Sequence, residues 1–170
     1  MRKLFCLLLS LVLLLSLAAC NKEQETDREC IEEMLVCRHK SMLGLATMEE
    51  FRSSCSEAFW EKSASAGISI EQQYEKSLAK YDQETGKLLS ESLADMFGEN
   101  FTITAEITEM EPVEDIEQLE ETLYKSYHYA LDVEKAYHVK TTIRYTGDKD
   151  TTEMEQEDWV CLVDGRWCVR

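Results

Sequence analysis

The chain has 170 residues, 34 of them acidic and 18 basic, and a formal net charge of −16. Nucleic-acid-binding proteins are expected to carry a basic patch, so this charge argues against a nucleic-acid partner. Hydrophobic residues make up 44% of the chain, which is too large a share for a disordered protein. The composition therefore predicts a folded, acidic protein of about one domain.

The N-terminus has the three parts of a secretory signal. Two basic residues, Arg2 and Lys3, precede an apolar run over residues 4–15, and small residues follow. The run is shorter than the roughly 20 apolar residues that a membrane span needs. We therefore expect residues 1–19 to be a signal peptide and the remainder of the chain to be exported.

The last residues of this signal, Leu17-Ala18-Ala19-Cys20, resemble the lipobox of bacterial lipoproteins. In that family, cleavage precedes the cysteine, and the cysteine thiol carries diacylglycerol. The resemblance implies that Cys20 is lipidated and anchors the protein to the extracytoplasmic side of the bacterial cell membrane. The alternatives are an ordinary cleavage after an Ala-x-Ala-like site and an uncleaved anchor.

Residues 20–27 are polar and predict a short tether, and residues 28–170 predict a single domain. Removal of Arg2 and Lys3 with the signal leaves 16 basic and 34 acidic residues, a balance of −18. Such a charge is repelled by an anionic lipid surface within a Debye length. We therefore expect the lipid, and not the protein surface, to hold the domain at the membrane.

The first half of the domain has helical patterns. Apolar residues with a period near 3.6 predict a helix over residues 28–45. Thr47 and Glu50 have the spacing of a capping box, which predicts the start of a second helix that ends over residues 63–67.

A long third helix is predicted to begin at a second capping box, formed by Ser69 and Gln72. Its apolar pattern continues to Phe97, with a kink or a break at Gly86 because glycine disfavours a helix interior. Gly98 has the position of a C-terminal glycine in the left-handed helical conformation.

Alternation of apolar and polar residues then predicts strands, with one amphipathic helix between the first two. In chain order, we expect a strand whose alternation runs over residues 101–108 and which Pro112 ends, a helix over residues 113–127, and strands over residues 137–145 and 151–163.

The strongest local signal is Asp164-Gly165, which lies between two strand-like runs. Asp-Gly favours a two-residue type I′ hairpin because both central residues need a positive φ. Both faces of the hairpin are largely apolar, so we expect both to be covered. The predicted cross-strand pairs are Val163 with Arg166, Leu162 with Trp167, and Cys161 with Cys168.

The order of helices, antiparallel strands with one interposed helix, and a closing hairpin resembles the NTF2-like cone fold, also called SnoaL-like or cystatin-like. The hairpin over residues 159–167, with its Asp-Gly turn and Gly-Arg-Trp strand, carries the resemblance. It implies an α+β domain in which N-terminal helices pack on a curved antiparallel sheet. Members of the superfamily include isomerases, dehydratases, ligand carriers and interaction modules, so the fold does not select a function.

Five cysteines follow the lipobox, an odd number that leaves at least one thiol unpaired. Cys161 and Cys168 face each other in the predicted hairpin, within the Cα range of a disulfide, and export permits one. Cys30 and Cys37 are too far apart along one helix to form a bridge, whereas Cys37 with Cys55 is conceivable. The alternative is that all five are reduced thiols and that buried ones pack as small hydrophobic groups.

No sequence motif points to a metal or a cofactor. Cys37 and His39 point to different sides of one helix, and zinc, calcium, phosphate-binding and nucleophile-elbow patterns are absent from the sequence. An enzyme of this fold needs a base, and His138 paired with Asp158 is the candidate dyad. A surface or capping histidine is the simpler interpretation.

Three function classes follow. The first is a non-enzymatic lipoprotein that binds a small ligand or another envelope protein in the cone. The second is a cone-fold isomerase or dehydratase with a histidine or carboxylate base, and the third is a structural or inhibitory module that uses a sheet edge. The candidate ligand-lining residues, for which core packing is the alternative, are Tyr74, Tyr81, Phe101, Tyr145, Trp159 and Trp167.

Overall fold

A computed structural model describes residues 24–169. The predicted signal peptide and the predicted lipidation site, Cys20, lie outside the described residues. The chain divides into two compact units, Met1–Cys30 and Ile31–Arg170. Within the described part, no helix is both long enough and apolar enough to cross a membrane.

Within residues 24–169, five helices precede the sheet. The first, α1, includes residues 24–43, so residues 24–27 of the predicted tether are helical. The following helices are α2 (Met48–Ser53), α3 (Glu57–Ser65), α4 (Ile70–Leu78) and α5 (Leu89–Phe97).

Both predicted capping boxes are confirmed. At the start of α2, the Thr47 hydroxyl accepts a hydrogen bond from the Glu50 amide, and the Glu50 carboxylate accepts one from the Thr47 amide. Ser69 and Gln72 make the same reciprocal pair at the start of α4. Each box satisfies amides that have no partner within their helix.

The predicted second helix is wrong in one respect, because two serines divide it into α2 and α3. The Ser54 hydroxyl donates to the Phe51 carbonyl oxygen over 2.7 Å, and the Ser56 hydroxyl accepts from the Phe59 amide as the N-cap of α3. Serine side chains compete in this way with helical hydrogen bonds. The break leaves Cys55 in the junction between the two helices.

The predicted third helix also divides, into α4 and α5, which confirms a break near Gly86. Gly86 has a φ of +68°, and the Asp82 carboxylate accepts two backbone amides in the intervening turn. Gly98 was predicted to be left-handed helical, but its φ of 103° and ψ of 162° lie elsewhere. A Cβ at Gly98 would collide with the Asp148 carboxylate, so the glycine permits this close approach.

The α+β class is confirmed by a four-stranded antiparallel sheet with the order β1-β2-β3-β4. A single helix, α6, joins β1 to β2. The bounds are β1 (Thr102–Pro112), α6 (Ile116–Tyr127), β2 (Val133–Thr146), β3 (Thr151–Val163) and β4 (Arg166–Val169).

The closing hairpin forms with the predicted register, which pairs Cys161 with Cys168 and Leu162 with Trp167. Asp164 and Gly165 have φ values of 53° and 67°, as a type I′ turn requires. Both faces of the hairpin are covered as predicted, because its side chains belong to two different hydrophobic clusters.

Three hydrophobic clusters hold Ile31–Arg170 together. The largest lies on the inner face of the sheet and combines α1, Phe97 of α5 and side chains of all four strands. The second lies on the outer face, where Leu119 and Leu123 of α6 cover the base of β2 and the closing hairpin. The third joins α2, α3 and α4 around Phe51 and Trp60.

The two edges of the sheet are acidic. β1 has a bulge between Ile107 and Glu109, where the Ile107 amide donates to the Glu32 carboxylate of α1. On the opposite side, β4 pairs only with residues 160–163 of β3. Residues 151–159 of β3 therefore have β2 on one side alone, and the exposed side chains there include Glu153, Glu155 and Glu157.

Candidate ligand-binding site

The six aromatic residues predicted to line a pocket lie in four different surroundings. Tyr145 and Trp167 are buried in the inner-face cluster, and Phe101 packs against it. Tyr74 packs against Phe51 in the cluster of α2–α4. Tyr81 is 65% exposed and Trp159 is 39% exposed, Trp159 lying on the outer face against His138.

A cavity of about 170 Å³ lies instead between the α2–α3 junction, α6 and the hairpin of β3 and β4. We call it the thiol cavity because Cys55, Cys161 and Cys168 all line it. The remaining lining residues are mostly apolar: Arg38, Ser56, Phe59, Leu123, Tyr129, Leu131 and Val169.

Burial raises the pKa of two of these thiols, Cys55 and Cys168. It raises the pKa of the Cys168 thiol to about 12, and Cys161 and Cys55 contribute in the same direction. The Cys55 and Cys168 thiols are therefore neutral at physiological pH. They are weak nucleophiles and weak metal ligands in this state, because the thiolate is the reactive form.

A wider groove of about 470 Å³ lies next to the thiol cavity, between α1 and the helices α2–α4. We call it the basic groove because Arg38, Lys76 and Lys80 line it and no carboxylate does. Its apolar surface includes the aromatic side chains of Phe51, Phe59 and Trp60. Arg38, Cys55 and Phe59 line both the cavity and the groove.

Arg38 is half-buried between the two spaces. Among the described residues, it has no ion pair within 4 Å. Its charge favours the ionised form of Asp158, although burial dominates and raises the pKa of that carboxyl. A guanidinium group carries five N–H donors in a fixed plane, so Arg38 offers a preformed set of donors at the junction.

A buried polar chain links α1 to the sheet beside this site. His39 is 3% exposed, its Nδ1 lies 2.9 Å from the Tyr145 hydroxyl, and its Nε2 lies 3.1 Å from Gln156 Oε1. The Gln156 amide in turn donates to the Asp158 carboxylate over 2.7 Å. Burial lowers the pKa of His39, and Arg38 lowers it further, against the opposing effects of Gln156 and Asp158.

The predicted dyad of His138 and Asp158 is not formed by the structure. In β2, His138 pairs with Trp159, and Asp158 pairs with Val139, so the two side chains point to opposite faces of the sheet. The Nε2 atom of His138 lies 3.8 Å from Glu157 on the outer face. His39, for which the sequence predicted no role, is linked to Asp158 through the Gln156 side chain.

The five cysteines described by the structure are thiols outside any disulfide. Cys161 and Cys168 face each other as predicted, and the Cys168 thiol donates to the Cys161 carbonyl oxygen over 3.4 Å. A disulfide between them stays a prediction for oxidising conditions. Within residues 24–169, no group of three or more His, Cys, Asp or Glu side chains has the geometry of a metal site.

Sequence reasoning missed the thiol cavity and the basic groove. The five cysteines were visible in the sequence, but the approach of Cys55 to the closing hairpin depends on the break between α2 and α3. Arg38 belongs to no recognisable sequence motif. Its role is visible only from its position between the thiol cavity and the basic groove. No protein-family model, curated protein or solved structure matches this chain.

Proposed function

We propose that this protein is a lipid-anchored extracytoplasmic binding protein without enzymatic activity, and that it takes up a small ligand in the thiol cavity. The thiol cavity is the single observation that carries the proposal. An engineered cavity of about 150 Å³ with apolar walls binds benzene. A cavity of about 170 Å³ has the size for an aromatic ring or a short alkyl group.

The proposed domain is NTF2-like, with Cys20 as the lipid attachment site. The helices before the sheet, the helix between β1 and β2, and the type I′ closing hairpin support this proposal. The five helices ahead of β1 are more than the three that the sequence predicted.

The enzymatic alternative has weaker support. His39 and Asp158 have shifted pKa values, which is a property of catalytic groups. Both nitrogen atoms of His39, however, have partners within the polar chain. Neither residue lines the thiol cavity or the basic groove, so neither is placed to exchange a proton with a ligand there.

The edge-binding alternative is also weaker. An edge strand that captures a partner by strand addition presents its backbone and apolar side chains. Here the β1 edge has a bulge and ends at Pro112, and the free edge of β3 is acidic. These features protect a sheet against strand addition.

Ligand uptake is tested by titrating the full chain, held in phosphatidylcholine nanodiscs, with benzene while the methyl NMR signals of Val169 and Leu131 are recorded. We expect saturable shifts of both signals. The variant Cys168→Leu should abolish them by filling the cavity, and the matched variant Cys37→Leu should not, because Cys37 lines neither space. Unsaturable shifts, or equal shifts in Cys168→Leu, would contradict the proposal.

Anchoring is tested separately by labelling the full chain with radioactive palmitate in a bacterial host. We expect label in the wild type and in Cys30→Ala, and none in Cys20→Ala. Label that persists in Cys20→Ala would show that another residue carries the lipid.

A further inference from the structure

The basic groove has the opposite charge to the rest of the protein. The chain carries a net charge of −16, yet Arg38, Lys76 and Lys80 line this groove without a carboxylate among its lining residues. A concave surface of one sign, with low-dielectric walls, concentrates the field and attracts ions of the other sign. The groove therefore favours an anion.

Two donors in the groove have no acceptor among the described residues. Lys80 already donates to the Met42 carbonyl oxygen. Arg38, by contrast, has neither an ion pair nor a hydrogen bond there, and Gln73 Nε2 is a buried amide nitrogen with no hydrogen-bond partner. A buried donor without a partner costs free energy until an acceptor satisfies it. A carboxylate supplies four acceptor sites and matches a guanidinium group in bidentate geometry.

The basic groove and the thiol cavity are continuous at Arg38. Because Arg38, Cys55 and Phe59 line both spaces, one molecule can occupy the cavity with its body and the groove with its head. The cavity selects the size of the body and the groove selects the charge of the head.

Resting on the proposed function, we propose that the ligand is a small anionic amphiphile: a monocarboxylate whose aromatic or short alkyl body fills the thiol cavity and whose head group binds Arg38 and Gln73. Arg38 is the principal anchor, and Lys76 adds long-range attraction at the rim.

The test compares three probes that share one body and differ in the head group: 3-phenylpropionate, 3-phenylpropan-1-ol and 3-phenylpropylamine. Each is titrated by calorimetry into the full chain in phosphatidylcholine nanodiscs, with empty nanodiscs as the blank. We expect the acid to bind at least about tenfold more tightly than the alcohol, because hydrogen bonds to charged groups are the stronger ones. The amine should bind more weakly than the alcohol.

The variant Arg38→Met should weaken binding of the acid about tenfold and leave the alcohol within about twofold. The matched variant Arg144→Met, which removes the same charge from a remote ion pair with Glu153, should change neither. In the wild type, raising the salt from about 0.05 M to about 0.5 M should weaken binding of the acid alone. Gln73→Leu should weaken the acid severalfold and spare the alcohol.

Each failure has a separate meaning. Equal affinities for the acid and the alcohol, or equal effects of Arg38→Met and of salt on both, would overturn the ligand class while benzene uptake by the cavity still stood. If neither benzene nor any of the three probes binds, the proposed function itself is wrong. If Arg38→Met does not fold, the salt dependence and Gln73→Leu decide the question.

Discussion

Two regions of the domain are filled in different ways. At one, which we call the aromatic end, Phe97 packs between Phe101 and Tyr145 with ring centroids 5.6 and 5.9 Å away. At the other, the cysteine end formed by Cys55, Cys161 and Cys168, these three short side chains line a cavity of about 170 Å³ together with larger ones such as Phe59 and Tyr129. Protein interiors otherwise pack closely, so the cysteine end differs from the aromatic end in leaving space that a ligand can fill.

The largest expected effect is the loss of a ring at the aromatic end. We expect Phe97→Ala to lower the free energy of unfolding by about 3–5 kcal/mol, because Phe97 is 3% exposed and its removal leaves a large void. Cys168→Ala, the matched deletion at the cysteine end, should cost only about 1 kcal/mol, since one heavy atom beside an existing cavity is lost. Urea denaturation measures both, and similar losses would show that the two ends are equally well packed.

A larger side chain at the aromatic end should lower the free energy of unfolding. Ile143 is fully buried, two residues before Tyr145 on the same face of β2. We expect Ile143→Phe to cost about 1–3 kcal/mol, because a well-packed region cannot accept a larger side chain without strain. The measurement is the midpoint of urea denaturation, and an unchanged midpoint would reveal unfilled space at this end.

The stability of the protein should depend on pH through His39, the buried histidine that connects α1 to Tyr145. Burial lowers the pKa of His39 below its ordinary value of 6.5, so the unfolded chain binds the proton more readily than the folded one. The contribution of His39 to the free energy of unfolding is therefore fully present above pH 6.5. It decreases as the pH falls from 6.5 toward the pKa of His39 in the folded protein. For one proton, the slope is at most about 1.4 kcal/mol per pH unit.

The measurement is the urea midpoint of wild type and of His39→Gln between pH 7 and about pH 5. We expect a smaller decrease in the variant. The raised pKa of Asp158 acts in the opposite direction, because the folded chain binds that proton more readily, so its contribution to stability increases as the pH falls toward 3.8. Asp158→Asn removes this compensation, so the urea midpoint should decrease more steeply with falling pH in this variant than in wild type. Identical slopes in wild type and His39→Gln would contradict the assignment of the pH dependence to His39.

The smallest expected effect is a gain in stability from a substitution at the cysteine end. We expect Cys168→Leu to raise the free energy of unfolding by about 0.5–1 kcal/mol, because filling a cavity adds apolar contacts. The same variant should lose ligand uptake, so stability and binding would change in opposite directions. A loss of more than about 1 kcal/mol would mean that the cavity is too constrained to accept a leucine.

Local signals in the sequence predicted the local structure. The Thr47 and Ser69 capping boxes and the Asp164-Gly165 turn each depend on residues within four positions of one another, and all three are present. The alternation along β1 and β2 also predicted their buried faces, because side chains on a strand alternate with period two.

The candidate site depends on contacts between distant residues, and the sequence alone does not reveal these. His39 and Gln156 are 117 positions apart, and no spacing rule links them. The divided second helix depended on whether Ser54 and Ser56 would bond to the backbone or to solvent, a choice that tertiary packing makes. The thiol cavity follows from that choice, because it leaves Cys55 opposite the closing hairpin.

The acidic sheet edges also bear on how the protein behaves at high concentration. The glutamates at both edges add to a net charge of −16, which makes copies of the protein repel one another. The Debye length shortens from about 10 Å at 0.1 M salt to about 3 Å at 1 M. Colloidal stability of concentrated samples should therefore be greatest in dilute buffer, and the scattering second virial coefficient should fall as salt is added.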